Sequence, residues 1–192
     1  MKNLPPLILA SASPRRSELL RGLGVEFKVF PSEAEELHNE ELTARELSQL
    51  NAYRKARVVA KRFPDALVLG ADTLVYLGTN VFGKPRDTGE AHQMLQRLQG
   101  ETHEVVTGIC LLHLRGHRQK IFADSTEVTF RALDAAQIGK YLARVDPLDK
   151  AGAYGIQEHG QEIIREIYGS FSNVAGLPME RLTAELSAWS AA

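Results

Sequence analysis

Cysteine, aromatic residues and long hydrophobic runs are scarce in this chain of 192 residues. The single cysteine, Cys110, cannot form an internal disulfide, and its apolar neighbours predict a buried packing role. No run approaches the roughly 18 apolar residues that a membrane-spanning helix needs. The first six residues lack the long apolar stretch of a signal peptide. We therefore expect no membrane segment, no signal peptide and a location in the cytoplasm.

Neither sign of charge is in excess, since 23 Lys and Arg residues stand against 24 Asp and Glu residues and give a formal net charge of -1. Non-specific binding to nucleic acid needs surplus basic residues, and binding to single strands needs stacking aromatics, which make up only 7% of the chain. Sequences typical of a P-loop, a dinucleotide-binding turn, a nucleophilic serine elbow or a zinc site are also absent. These absences argue against a nucleic-acid partner. They also argue against P-loop proteins, dinucleotide-binding proteins, hydrolases with a nucleophilic serine and zinc proteins.

Strand-like and helix-like patterns alternate along the chain, and no repeat or linker interrupts them. Thr43 with Glu46 forms a capping box that predicts a long helix, while Thr88 and Asp134 are the predicted caps of two later helices. Two long strand-like runs, HEVVTGICLLHL and KIFADSTEVTF, follow each other as a hairpin. With 44% apolar residues, this order predicts one α/β domain over residues 1–192 with a mixed sheet.

Asp72 is the residue most suggestive of chemistry, because it interrupts the apolar strand pattern LVLGADTLVYL. A carboxylate in such a strand is costly to bury unless a cation or several hydrogen-bond donors meet it. A turn or capping role would explain Asp72 equally well, so this residue alone supports a structural and a functional interpretation equally. An acidic loop with Glu33, Glu35 and Glu36 could supply a second carboxylate for Mg²⁺, which prefers oxygen ligands.

Basic residues recur where an anion could bind. Arg15 and Arg16 follow Ser11 and Ser13 at a predicted helix start, where the helix dipole disfavours positive side chains unless something negative is present. Lys55 lies at the edge of the apolar stripe of its predicted helix, where most lysines simply extend their ammonium group into water. The arginine pair is therefore the stronger indication of an anionic ligand.

Loops rich in small residues accompany these basic residues. The turn GKPRD carries Lys84, and the loop DKAGAYGIQ carries Lys150 and Gln157 among glycines that let a ligand approach the backbone. The Gln157 amide has both a donor and an acceptor, which suits the edge of a nucleobase. Each loop alone is more typical of an ordinary turn, but the whole set predicts a nucleotide site whose phosphates face Arg and Lys side chains.

Six segments between about Leu7 and Pro178 resemble, in order, the motifs of the Maf family of nucleotide pyrophosphatases. They are LASASPRRSELL, LGADTLV, GKPRD, THEVVTG, PLDKAGAYGIQ and GSFSNVAGLP. The resemblance covers nearly the whole chain, and six ordered motifs are more specific than any single one. It implies an elongated, twisted mixed sheet flanked by helices, with two lobes around a cleft as in the inosine triphosphate pyrophosphatases, and a homodimer.

Within that family, the chain resembles the subgroup that acts on dTTP and UTP. The resemblance implies hydrolysis to the nucleoside monophosphate and pyrophosphate, with Mg²⁺ or Mn²⁺ between the triphosphate and Asp72 and with water attacking the α-phosphorus. Asp72, Lys55 and Lys84 are the implied catalytic residues, and Asp72 with Glu36 holds the metal, Glu33 being the alternative to Glu36. The implied substrate-binding residues are Ser11, Ser13, Arg15, Arg16, Thr73, Lys150 and Gln157.

Alternatives of two kinds remain open from the sequence. A non-catalytic regulator of cell division would not need Asp72 and Lys84 in one site. A pyrophosphatase with another base specificity would keep the phosphate site but act on 7-methyl-GTP or ITP, since fold alone does not set the base. Modified pyrimidine triphosphates such as 5-methyl-CTP are further candidate substrates, and clearing of the nucleotide pool or arrest of division are the candidate roles.

Overall fold

The computed structural model describes residues 4–39 and 41–191, along which strands and helices alternate. Residues 1–3, on which the expectation of no signal peptide partly rests, lie outside the described residues. The strands are β1 (Leu7–Leu9), β2 (Phe27–Val29), β3 (Leu67–Leu77), β4 (Asn80–Phe82), β5 (Thr102–His113), β6 (Arg118–Phe130) and β7 (Ile164–Tyr168). The helices are α1 (Pro14–Arg21), α2 (Ala44–Arg62), α3 (Thr88–Leu98), α4 (Ala135–Leu142), α5 (Gly160–Ile163), α6 (Phe171–Val174) and α7 (Met179–Ala191), with a 3-10 turn at Ala151–Ala153.

The seven strands form one mixed sheet in the order β2-β1-β3-β5-β6-β7, with β4 paired to β3. Strand β1 runs parallel to both β2 and β3, whereas β3 pairs with β4 and β6 pairs with β7 in antiparallel fashion. This mixture of parallel and antiparallel pairs, flanked by helices, confirms the predicted α/β class with a mixed sheet.

Both faces of the sheet are covered where β1, β3 and β5 lie side by side. Alternate residues of these strands, such as Leu69 and Ile109, pack with Leu20 of α1 and Leu182 of α7. The residues between them, including Cys110, pack with α2. Strands buried on both faces read as continuous apolar runs, which is why the sequence shows little alternation here. Burial also raises the pKa of Cys110 to about 12, so the thiol stays protonated and the predicted packing role is confirmed.

Contacts group the chain into two compact units. The first takes the chain up to Asp72, Thr107–Asp124 and the chain from Gly176 on, and the second holds Thr73–Val106 and Ser125–Ala175. Strands β3, β5 and β6 each contribute residues to both units, so the chain passes repeatedly from one unit to the other.

Helix caps follow the sequence closely, with one correction. Thr43 and Glu46 form the predicted capping box of α2, and Asp134 caps α4. The cap of α3 is Asp87, whose side chain accepts from the Glu90 N–H, and Thr88 is the first helical residue rather than the cap. Both residue types favour the cap position, and the carboxylate of Asp87 is the one that reaches the open backbone donor.

No helix in the described part of the chain is long and apolar enough to cross a membrane.

Candidate active site

Asp72 lies in β3 with only 3% of its surface exposed, and its carboxylate is met by two side chains of α2. Lys55 Nζ donates to Asp72 Oδ1 at 2.6 Å, and Asn51 Nδ2 donates to Asp72 Oδ2 at 3.2 Å. A buried carboxylate is stable only with such compensation. The cation and donors that the sequence required for Asp72 are therefore present in the same unit.

Two glycines let α2 come this close to the sheet. A Cβ on Gly70 of β3 would lie 2.2 Å from the Ala52 carbonyl oxygen, and one on Gly108 of β5 would lie 2.3 Å from the Ser48 carbonyl carbon. Contacts this short are impossible for any residue with a Cβ unless the helix moves. Glycine at these two positions therefore sets the distance at which Asn51 and Lys55 meet Asp72.

Lys55 joins Asp72 to the acidic loop. Its ammonium group also donates to Glu36 Oε1 at 2.7 Å, and the exposed fractions of the three side chains are 12% for Lys55, 4% for Asp72 and 31% for Glu36. Lys55 therefore does not extend its ammonium group into water as most lysines at such an edge do, because two carboxylates hold that group. Two carboxyl groups thus share one ammonium group.

Burial raises the pKa of Asp72 above its ordinary value. The charge of Glu36 raises it further, while Lys55 and Arg16 act in the opposite direction. Desolvation dominates because water is almost excluded from the carboxylate. A carboxylate with a raised pKa accepts a proton more readily than an exposed one, as a general base must.

Arg16 connects three segments of the first unit. Its Nε donates to the Gly176 carbonyl oxygen at 3.0 Å, and its Nη1 donates to the Ala71 carbonyl oxygen at 3.0 Å and to Ser11 Oγ at 3.3 Å. Burial lowers the pKa of Arg16. One guanidinium thus holds the backbone immediately before Asp72 against the helix start that carries the predicted arginine pair.

The predicted serines and the first arginine surround this start of α1. Ser11 Oγ accepts from the Ser13 N–H at 3.2 Å as well as from Arg16. Ser13 is the N-cap residue with Pro14 directly after it, but its side chain makes no capping hydrogen bond. Arg15 is half-buried on the first turn of the helix.

The remaining predicted residues belong to the second unit. Lys84 and Gln157 are exposed, and Thr73 is half-buried directly after Asp72. The Gly152 N–H donates to the Gly83 carbonyl oxygen at 3.0 Å, so the segments that carry Lys84 and Gln157 are joined by their backbones. The sequence predicted these loops separately, and the structure brings them together.

Lys150 has a different environment from the other predicted lysine of this unit. It is 3% exposed, and its ammonium group contacts Asp149 at 2.7 Å and Glu158 at 3.0 Å. Gly155 leaves room for this side chain, since a Cβ there would lie 2.8 Å from Lys150 Cε. In the described chain Lys150 therefore binds carboxylates of its own loop, beside Gln157.

His103 is a buried histidine of β5, and one of its two ring nitrogens has a hydrogen-bond partner. Its Nε2 lies 2.8 Å from the Tyr154 hydroxyl, and its ring packs edge-on against Phe130 and Tyr154. Its Nδ1 is buried and has no hydrogen-bond partner among the described residues. Burial lowers the pKa of His103 to about 4, so the imidazole is neutral near physiological pH.

The described residues contain no group of three His, Cys, Asp or Glu side chains that could hold a metal ion by themselves. Asp72 and Glu36 nevertheless converge on one cation, the Lys55 ammonium group. Magnesium commonly takes one or two protein carboxylates and completes its shell with water and substrate phosphates. The two predicted ligands fit a metal of that kind, whereas Glu33 is an exposed residue of the loop.

Asn51 is the site residue that the sequence interpretation missed. It is 1% exposed and contacts both Asp72 and the backbone of the acidic loop. A signal was available, because Asn51 lies one helical turn before Lys55 on the same face, where an amide among apolar residues needs partners.

Residues 6–189 match the Maf-like protein family. A dTTP/UTP pyrophosphatase from Akkermansia muciniphila is 46% identical over 176 residues, which cover 92% of this chain and 92% of that protein. A dTTP/UTP pyrophosphatase from Symbiobacterium thermophilum is 45% identical over 181 residues, covering 94% and 92%, and one from Syntrophus aciditrophicus is 44% identical over 180 residues, covering 94% and 88%. The match extends over nearly all of the sequence, and the chain belongs to the Maf-like protein family.

Proposed function

We propose that this protein is a nucleoside triphosphate pyrophosphatase that hydrolyses dTTP and UTP to the nucleoside monophosphate and pyrophosphate. The relatives named above support the activity and the pyrimidine substrates. The observation that carries the proposal is the buried carboxylate of Asp72, paired at 2.6 Å with Lys55 beside Glu36. A buried ion pair repays its desolvation cost poorly as a stabilising device, so this pairing in an apolar strand supports a functional role for the cluster.

In the proposed reaction, a water oxygen forms a bond to the α-phosphorus while the bond from that phosphorus to the bridging oxygen breaks. Pyrophosphate leaves, and Asp72 accepts the proton of the water. Burial raises the pKa of Asp72, which makes its carboxylate a stronger base than an exposed one.

Positive side chains stabilise the charge that shifts toward the leaving group. We assign this role to Lys55 and Lys84, with Arg15 binding the phosphates, since cations aimed at developing phosphate charge lower the barrier directly. Asp72 and Glu36 would hold a Mg²⁺ or Mn²⁺ ion, which when bound supplies further charge neutralisation and polarises water.

Base selection is proposed for residues of three motifs. We assign this selection to Thr73, Gln157 and Arg16, three of the substrate-binding residues that the resemblance implied. Ser11, Ser13 and Lys150 complete the proposed substrate-binding set. The contacts of Arg16 and Lys150 described above are to protein atoms, so their place in this set rests on the sequence motifs.

The decisive experiment measures pyrophosphate release from dTTP, UTP, 5-methyl-CTP, 7-methyl-GTP and ITP with Mg²⁺ or Mn²⁺. We expect dTTP and UTP to be the preferred substrates. Turnover of purine nucleotides alone would keep the phosphate chemistry and remove the assigned base selection. Absence of release with every nucleotide would favour the non-catalytic regulator of cell division.

Variants of the carboxylates test the assigned residues. Asp72→Asn keeps the size of the side chain but removes the base, and we expect kcat to fall by about 100-fold or more. Glu36→Gln should raise the metal concentration needed for half-maximal activity, and Glu33→Gln in the same loop is the matched control. If Glu33→Gln impairs metal dependence and Glu36→Gln does not, the ligand assignment changes to Glu33.

A further inference from the structure

Asn51 uses its amide oxygen and both amide hydrogens inside the candidate active site. Its Oδ1 accepts from the Leu37 N–H at 2.8 Å. Its Nδ2 donates to the Leu37 carbonyl oxygen at 3.2 Å and to Asp72 Oδ2 at 3.2 Å. Since an amide nitrogen has two hydrogens, one can serve each of these acceptors.

These bonds join two parts of the site that are distant in sequence. Leu37 directly follows Glu36, so both backbone bonds fix the loop position from which Glu36 reaches Lys55. The third bond occupies the oxygen of Asp72 that Lys55 does not contact. With the side chain 1% exposed, water cannot replace any of these partners without opening the structure.

We propose that Asn51 is a positioning residue, which holds the acidic loop in register with Asp72 and fixes the orientation of the Asp72 carboxylate. Lys55 alone cannot do this, because a flexible ammonium group bonds carboxylates over a range of directions. A planar amide held at both its oxygen and its nitrogen permits one orientation. The proposed effect on turnover rests on the proposed function, whereas the hold on the loop does not.

The consequence for catalysis follows from the precision that such sites require. A shift of a catalytic group by about 1 Å can cost on the order of 100-fold in rate, and loss of a supporting hydrogen bond around a metal ligand typically costs about 10–100-fold. Asn51 is not assigned any contact with substrate. Its loss should therefore lower kcat and weaken metal binding while KM for UTP changes little.

Two substitutions separate the two tasks of the side chain. Asn51→Asp is nearly isosteric and keeps the acceptor for the Leu37 N–H, but it replaces the donor to Asp72 by an oxygen. Asn51→Ala removes all the bonds. Ser48→Ala is the matched control, because Ser48 is as buried on α2 and its hydroxyl donates to the Arg45 carbonyl oxygen of its own helix.

The experiment combines steady-state kinetics, Mn²⁺ binding by electron paramagnetic resonance and amide hydrogen exchange at Leu37. We expect kcat and Mn²⁺ affinity to fall by about 10–100-fold in both Asn51 variants and to stay unchanged in Ser48→Ala. Exchange at Leu37 should accelerate strongly in Asn51→Ala and only weakly in Asn51→Asp. Far-ultraviolet circular dichroism confirms that each variant is folded.

Wild-type kcat and Mn²⁺ affinity in folded Asn51→Ala would overturn the proposal and leave Asn51 with a packing role only. A rise in KM with unchanged kcat would also overturn it, since that pattern belongs to a substrate contact. If the wild-type protein releases no pyrophosphate, the proposed function fails separately. In that case amide hydrogen exchange at Leu37 still tests whether Asn51 holds the acidic loop. Unchanged exchange in Asn51→Ala would overturn that part of the proposal.

Discussion

His103 lies in β5 at 2% exposure, with its Nε2 against the Tyr154 hydroxyl and its Nδ1 without a partner among the described residues. Protonating this imidazole in the folded protein would bury a charge away from water, which explains why its pKa is lowered to about 4. A neutral buried histidine therefore ties the stability of the fold to pH.

We predict that His103 makes the free energy of unfolding fall in acid. The unfolded chain binds a proton at this residue below about pH 6.5, while the folded protein does so only near about pH 4. The stabilisation is thus complete above the first value and is lost as the pH falls through the interval, by about 3 kcal/mol in all. Urea unfolding across this range measures it, with His103→Gln as the variant that cannot titrate. Equal pH slopes in both proteins would contradict the prediction.

The difference between Lys55 and Lys150 shows what residue type alone leaves open. Both lysines were predicted to face phosphates, and each has two carboxylate neighbours. Lys55 shares its carboxylates with the candidate catalytic cluster, whereas the partners of Lys150 are a neighbour in sequence and a residue of its own loop. The residue type is the same in both cases. Only the contacts distinguish Lys55, in the candidate catalytic cluster, from Lys150, which binds within its own loop.

At the scale of elements, the approach of α2 to β3 depends on the absence of a side chain at Gly70. A methyl group there would lie 2.2 Å from the Ala52 carbonyl oxygen and 2.9 Å from the Ala56 Cβ, so the helix that carries Asn51 and Lys55 would have to move.

We predict that Gly70→Ala lowers the free energy of unfolding by about 1–3 kcal/mol and reduces turnover as well, because overpacking shifts the backbone. Gly139→Ala is the control, since nothing lies within 4 Å of a Cβ at that helical position. Alanine there should stabilise the protein by about 0.5–1 kcal/mol. Thermal unfolding and pyrophosphate release measure both variants. An unaffected Gly70→Ala protein would mean that α2 accommodates the methyl group without moving.

The start of α3 gives a second prediction at this scale. Asp87→Ala removes the side chain that accepts from the Glu90 N–H and should cost about 1 kcal/mol of stability. Thr88→Ala should change stability by much less, because exposed Thr88 is the first helical residue and not the cap. Urea unfolding of the two variants compares them directly. A larger loss of stability in Thr88→Ala than in Asp87→Ala would instead identify Thr88 as the cap, as the sequence indicated.

At the scale of the whole molecule, β3, β5 and β6 each contribute to both compact units. Because these three strands contribute to both units, unfolding of one unit would disrupt strands of the other. We therefore predict a single cooperative unfolding transition. Differential scanning calorimetry should give equal calorimetric and van't Hoff enthalpies. Fluorescence of Trp189, the sole tryptophan, reports on the first unit, and far-ultraviolet circular dichroism reports on all elements. Two separate transitions would refute the prediction of one domain.

The homodimer also stays a prediction, which light scattering can test.

Local features of the sequence determined much of this protein. Capping residues placed the helices within a few residues, because a cap and its backbone donor are neighbours in the chain. Apolar runs indicated the strands, including the two long ones that follow each other as a hairpin. The order of six motifs identified the family, and an acidic residue in an apolar strand singled out Asp72.

Tertiary structure decided which side chains meet Asp72. Its partners Asn51 and Lys55 lie 21 and 17 residues away along the chain, on a helix whose own periodicity does not reveal what it faces. Glu36 is selected from an acidic loop because that loop is bound to Asn51, a contact that no local propensity encodes. The sequence thus determined the chemical groups, while close packing at two glycines decided their arrangement, since the approach of helix to sheet depends on atoms far apart in the chain.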